Sequence, residues 1–448
     1  MQFMSGLAGV IFGLASGNLL SVAMPYFERS LGFTSVQIAT LVTSSSVAAV
    51  ATTFFAGHLT DFIGRRKTFS LSALLYSLAV LLVALSDGSY ATIISGISMQ
   101  GVSLGLLGVV APLYLAECMP PENRGKATAF FQFTLIVGIA LSGLLGLAVA
   151  YLIGPSDSET MAAAEKIRAW KTLYWVSLVP GVILFLGAFK LNESPLWLSK
   201  KGGKSKALSS TCNSSLQSKE SLPSIFSGRY VVPFLIVFVI LACNKLIGMP
   251  YIACYSVKIF QMSGLAGAAV NWADFVFKTV MLISTAIACL LVDKRGRRFL
   301  LTLGTTGVFV AMLMMGIAFW GIDRGSFEPS SLTGYAVAFG VVLFIAFYSL
   351  GPGVCVWLVM TELLPSRIRA VGMSIVLFIN NFASTAMLAI FLPVGERIGY
   401  GILFFACAAS AGIYLATVRI FMPETKGRAL DEIEAEFARK YSPSTSEA

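Results

Sequence analysis

The chain has 448 residues, of which 56% are hydrophobic and only 12% charged, with a formal net charge of +10. A soluble domain is about 25% charged; with a mean hydropathy of +0.82, this chain lacks the charge to cover a water-facing surface. A soluble globule is excluded, and no nucleic-acid partner is expected, because the basic residues sit in short loops between apolar runs and form no patch.

A helix crossing a bilayer needs about 20 mainly apolar residues. From the N-terminus, the runs that qualify are 1–27, 30–60, 68–116, 127–156 and 172–189; the third is long enough for two helices, separated at Asp87-Gly88-Ser89. A Ser- and Lys-rich polar segment follows. Beyond it come 230–257, 259–292, 299–322, 329–361, 370–395 and 398–418. These runs predict twelve spans, six on each side of the polar segment. The first has no basic leader and outruns a signal-peptide core, so it is read as a retained span.

The expected organisation is therefore a six-helix bundle over 1–190, a loop over 191–228, a second bundle over 229–421 and a tail over 422–448. With the N-terminus inside, loops on that side hold the larger share of the Lys and Arg, among them Arg65, Arg66, Arg124, Arg297, Arg298 and Arg369. The positive-inside rule then places both termini in the cytoplasm, in a plasma or inner membrane.

The two halves repeat each other. Asp61-Phe62-Ile63-Gly64-Arg65-Arg66 returns as Asp293-Lys294-Arg295-Gly296-Arg297-Arg298; Glu117, Pro120 and Arg124 return as Glu362, Pro365 and Arg369; Glu193-Ser194 returns as Glu424-Thr425. Gly permits a tight turn and Arg pairs well with carboxylates. These charges can act as an inner gate made of ion pairs, or serve only as topology signals. Duplicated halves imply a substrate site at their interface and rocking between two access states.

Enzyme chemistry finds no support. There is one histidine, His58, and the cysteines (Cys118, Cys212, Cys243, Cys254, Cys289, Cys355 and Cys407) form no C-x-x-C pair. They read as small core residues, with no metal or other cofactor expected. No nucleophile–base pair or phosphate loop appears.

The motifs resemble the sugar porter branch of the major facilitator superfamily. Gly57-His58-Leu59-Thr60-Asp61 running on to Gly64-Arg65-Arg66-Lys67 is similar to its loop after the second helix, and Pro112 to Glu117 with Arg124-Gly125 to its signature after the fourth. Glu193-Ser194-Pro195-Leu196-Trp197-Leu198 resembles its PESPRWL element, and Pro423-Glu424-Thr425-Lys426-Gly427 its PETKG element. Gly351-Pro352-Gly353 with Trp357 and Glu362 resembles its tenth-helix pattern. The resemblance implies an all-α membrane protein with 12 transmembrane helices in two six-helix halves, the major facilitator fold. It also implies a small-molecule substrate (sugar, polyol or sugar acid) in a lipid bilayer.

For the site, the resemblance implies sugar contacts from Gln132, Trp357 and Asn380. The seventh span departs from the family's Q-Q-x-x-G-x-N: it reads Asn244-Lys245-Leu246-Ile247-Gly248-Met249-Pro250. Asn244 and Lys245 are carried as candidate contacts, and Lys245 allows a second reading, a transporter of an organic anion such as a sugar acid, with proton coupling open. The family's coupling pair is also gone, since Ala15 stands for the first-helix Asp and Ile97 for the fourth-helix Arg. A facilitative transporter of a monosaccharide or polyol is the leading expectation.

Charges inside spans are costly and are functional candidates by default. Asp274 and Lys278, four apart, share one helix face and can pair, as an outer gate. Alternatively, Asp274 neutralises Lys245, or lies at the outer water boundary with Lys278 snorkelling towards it. Asn and Gln in spans can also serve only to join helices.

Overall fold

The computed structural model describes residues 2–16, 18–118, 121–158, 160–194, 197–198, 228–364, 369–424 and 432. Among them every regular element is a helix, as backbone groups in lipid require when no closed barrel forms. The helices are α1 (Gln2–Ala15), α2 (Asn18–Leu31), α3 (Ser35–Ile63), α4 (Arg65–Ala84), α5 (Tyr90–Cys118), α6 (Pro121–Leu152) and α7 (Ala163–Ala188). After the polar segment come α8 (Gly228–Leu246), α9 (Met249–Met262), α10 (Ala268–Arg295), α11 (Arg297–Asp323), α12 (Ser331–Leu350), α13 (Pro352–Leu363), α14 (Arg369–Ile398) and α15 (Tyr400–Phe421). Pairs α1–α2, α8–α9 and α12–α13 each make one span, which gives 12 spans long and apolar enough to cross a membrane. The chain is a multi-pass integral membrane protein.

Helix ends differ from the charge-free runs in a consistent way. An apolar count stops at the first charge, whereas helical hydrogen bonding continues and lets long basic side chains reach the interface. So α7 begins at Ala163 with Glu165 in its first turn, and α9 runs to Met262. Lys258, expected on a loop, lies within α9. Where a capping signal exists, the start is sharp: Thr34 caps α3 in a reciprocal box with Gln37, donating its N–H to Oε1 at 2.9 Å and accepting from the Gln37 N–H at 3.3 Å.

Contacts divide the chain into two compact units. The first comprises Met1–Ser218 with Ala253–Gln261 and Leu265–Lys278; the second comprises Lys219–Ile252, Met262–Gly264 and Thr279–Ala448. In the first unit α5 packs on α3 and α4, α1 on α6, and α4 on α7. Its core includes Phe27 edge-on to Trp170, with centroids 5.1 Å apart. In the second unit α11 packs on α15 and α12, and α8 on α14 and α15. An aromatic cluster centres on Phe404, stacked on Phe319 at 5.0 Å and edge-on to Tyr251.

The seventh span is broken, not merely bent. Gly248 has φ +102°, so α8 stops at Leu246 and α9 restarts at Met249. Pro250 occupies the first turn of α9, where a missing N–H costs nothing. Tyr251 then pins the restart by stacking on Phe391, 4.1 Å between centroids and 10° between planes.

Candidate functional site

In the first unit the turn between α3 and α4 is built around Arg65. Its guanidinium donates to both Glu117 oxygens, Nε at 2.9 Å and Nη2 at 2.8 Å, and Asp61 approaches within 2.8 Å. The Arg65 side chain is 3% exposed and Glu117 11%, so this bidentate pair is largely out of water. Ser194 adds a donor, its Oγ giving a 2.5 Å hydrogen bond to Glu117.

Glu193 plays a different part from the ion pairing expected of it. Its Oε1 accepts from the backbone N–H of Arg65 (2.8 Å), Arg66 (3.1 Å) and Ser194 (3.1 Å). It therefore satisfies the free N–H groups at the start of α4 and sits at the positive end of that helix. Arg66 turns away to the Phe189 carbonyl at 2.5 Å. Gly64, at φ +99°, makes room: a Cβ there would lie 2.6 Å from Glu193 Oε2.

The second unit repeats this construction. Glu424 accepts from the N–H groups of Arg297 (3.0 Å) and Arg298 (3.2 Å), and Arg298 reaches the Arg419 carbonyl at 2.7 Å. Gly296, at φ +87°, again leaves space for the carboxylate, 2.6 Å from where a Cβ would sit. The closest approach of Arg297 to Glu362 is 3.3 Å, with the two side chains 15% and 20% exposed. The side chains of Arg124, Asp293 and Arg369 lie outside the described residues, as do 195–196 and 425–428 of the two family elements.

The intramembrane charges of α10 are fully enclosed. Asp274 Oδ2 and Lys278 Nζ are 2.8 Å apart, with side chains 1% and 0% exposed. The water-boundary reading of Asp274 is thus not what the structure shows; the four-residue spacing pairs the two charges in the interior. Ser256 of α9 donates to Asp274 Oδ1 at 2.5 Å, and Ser21 of α2 lies 3.0 Å from Ser256. Lys278 also donates to the Asn18 carbonyl at 3.3 Å. Lys258 and Glu28, both of the first unit, form a second ion pair joining α9 to α2.

The candidate substrate contacts fall out unevenly. Asn244 is 1% exposed and its amide is engaged: Nδ2 donates to the Pro352 carbonyl at 3.3 Å, and Oδ1 accepts from the Tyr348 hydroxyl at 3.3 Å. It joins α8 to α12 and α13. Lys245, three residues before the break, is half-buried, and no described carboxylate of its own unit pairs with it. Trp357 on α13 is 45% exposed, whereas Asn380 on α14 is 1% exposed with Oδ1 lacking a hydrogen-bond partner. α8 packs against both of those helices. Gln132 stands exposed on α6 of the first unit. Ala15 and Ile97, where the family carries its charged pair, are buried at 6% and 1% exposure.

Sequence reasoning missed Ser194, Ser256, Ser21 and Asn18. Only Ser194 carried a signal, its place inside the repeated Glu-Ser element.

Comparison with known proteins agrees with this architecture. The family description "Sugar (and other) transporter" matches residues 3–437. The putative metabolite transport protein YwtG of Bacillus subtilis (strain 168) is 27% identical, over 98% of this chain and 95% of the relative. The glucose transporter GlcP of Staphylococcus epidermidis is 26% identical, over 98% of this chain and 96% of its own. Among solved structures, the inward-open xylose transporter XylE from E. coli superposes with a TM-score of 0.76 at 19% identity, covering 97% of this chain and 98% of that one. The fold is that of the major facilitator superfamily, and the chain is a membrane transporter, not an enzyme. It belongs to the sugar porter family.

Proposed function

We propose that this protein carries a monosaccharide or polyol across a plasma or inner membrane by alternating access, facilitatively, with both termini in the cytoplasm. One observation bears most of the weight. Beside the broken seventh span, the second unit offers Lys245 as a multiple donor, Asn380 Oδ1 as a buried acceptor without a partner, and Trp357 as an open aromatic face. Donors and acceptors in an otherwise apolar wall suit hydroxyl groups, and an aromatic face suits the C–H edge of a pyranose. Gln132, exposed on α6, is a further amide proposed to meet the substrate. Asn244, engaged with Tyr348 and Pro352, positions α8 rather than meeting substrate.

The facilitative part of the reading is supported by Ala15 and Ile97, both apolar and buried where a proton-linked relative would place charges. Uptake into proteoliposomes should stop at equal concentrations inside and out, with or without an imposed proton gradient. Accumulation driven by the gradient overturns facilitated transport. The gating role of the Arg65–Glu117 and Arg297–Glu362 pairs is part of the same proposal, each closing its turn when the face it lines is shut.

A second reading has its own observation. No described carboxylate of its unit pairs with Lys245, so a substrate carboxylate could complete it. Under that reading Lys245→Gln abolishes transport of a sugar acid while the protein stays folded; retained anion transport rules it out.

A further inference from the structure

The Asp274–Lys278 cluster needs an explanation that packing does not supply. A buried ion pair is seldom more stabilising than apolar residues of the same volume, because both charges must be desolvated. Nothing about span length or orientation requires it. Yet the pair is enclosed more completely than any other described charged residue of the first unit, Arg65 included, and further polar groups are arranged around it.

The hydrogens in the cluster have one consistent assignment. An ionised carboxylate only accepts, so the single Ser256 hydrogen is directed to Asp274 Oδ1. Ser21 must then donate to Ser256. Lys278, which can only donate, is ion-paired to Asp274 Oδ2 and donates to the Asn18 carbonyl. Asn18 spends its amide N–H groups on the Gly13 carbonyl (3.0 Å) and Ser16 Oγ (3.1 Å), which leaves its Oδ1 buried without a partner. Two oxygens face the ammonium, Asp274 Oδ2 and the Asn18 carbonyl, and Ser256 holds the other oxygen of the same carboxylate. Such a set suits a hard monovalent cation.

We infer that the Lys278 ammonium is a tethered cation, filling a site formed by Asp274 and the Asn18 carbonyl that would otherwise take a mobile monovalent cation, and that its covalent attachment is what frees transport from an ion gradient. The inference rests on the facilitative reading above and gives it a cause. The close passage of α6 belongs to the same device: Gly143 has no side chain, and a Cβ there would lie 3.1 Å from Lys278 Cδ. The lysine stem reaches the site through the space that glycine leaves.

The test is counterflow of a labelled neutral sugar by purified Lys278→Met in proteoliposomes, in choline, Na+ and K+ buffers at two pH values. With the tether gone, Asp274 needs a positive charge from solution. Activity in choline is expected to be roughly tenfold higher near pH 5.5 than near pH 7.5, or to be restored at the higher pH by Na+. Acid rescue alone identifies a proton, and cation rescue alone identifies a metal ion. The unmodified protein should show neither dependence. Lys278→Met activity that is the same in every buffer overturns the inference, as does inactivity in every buffer while the protein remains monodisperse. If Lys278→Met does not fold, Asp274→Asn/Lys278→Met decides: it should transport independently of pH and cation, and loss of transport in a folded double variant overturns the tethered-cation account. Gradient-driven accumulation by the unmodified protein would instead break the facilitative reading, so the two failures are distinguishable.

Discussion

The two compact units handle charge in opposite ways. The first pairs its buried charges closely: Lys278 with Asp274 at 2.8 Å and no exposure to speak of, Arg65 with both oxygens of Glu117 at 2.8–2.9 Å. In the second, Arg297 Nε lies 3.3 Å from Glu362, both side chains are more exposed than their counterparts, and Lys245 is half-buried with no ion partner among the described residues of its own unit. The two Asp-x-x-Gly-Arg-Arg turns share their Asp, Gly and Arg positions but differ at the two residues between Asp and Gly. In the first unit Ser194 adds a donor to Glu117. Tightly paired charge is engaged within the protein, whereas a more open charge in a membrane interior is available to a substrate.

The largest expected effect on this comparison comes from splitting the buried pair. Asp274→Asn leaves Lys278 enclosed without its counter-charge and should destabilise by about 3–5 kcal/mol, read as a lower thermal unfolding midpoint in detergent. Asp274→Asn/Lys278→Met should recover most of that loss. Next, Arg65→Ala should cost about 2 kcal/mol, because it removes a bidentate, water-excluded pair, and Arg297→Ala less, because the Arg297 and Glu362 side chains are more exposed. Equal losses from the two arginines would erase the contrast between the units. Gly64→Ala and Gly296→Ala should each cost about 1–2 kcal/mol, since both force a side chain onto positive φ and against the carboxylate that caps the next helix. Here the repeats should behave alike. The smallest effect on stability belongs to Lys245→Gln, within about 0.5 kcal/mol of the unmodified midpoint, although neutral-sugar counterflow should fall about tenfold with the loss of a charged donor.

Much of the fold was legible because apolar run length is a strong physical constraint in lipid: the separator at Asp87-Gly88-Ser89 lies between α4 and α5. Helix ends were less so. Lys258 interrupted an apolar run and looked like a loop residue, yet α9 passes through it and Glu28 supplies the counter-charge. The break at Gly248 was hidden for a related reason, since hydropathy does not register a positive φ. In the site, the spacing of Asp274 and Lys278 was enough to suggest their pairing, because four residues is a local rule. Ser21, Ser256 and the Asn18 carbonyl come from distant parts of the chain, and no local rule brings them there. Repetition exposed Glu193 and Glu424 as a matched pair; only geometry showed that they accept from helix-starting N–H groups.

The measurement that bears most directly on the proposed substrate is a competition screen by counterflow in proteoliposomes without any ion gradient. Labelled candidates would be challenged with unlabelled hexoses, pentoses, polyols and sugar acids. The account predicts that neutral sugars or polyols compete, and that Lys245→Gln weakens that competition without abolishing it. Competition by carboxylates alone would contradict it and make Lys245 an anion receptor.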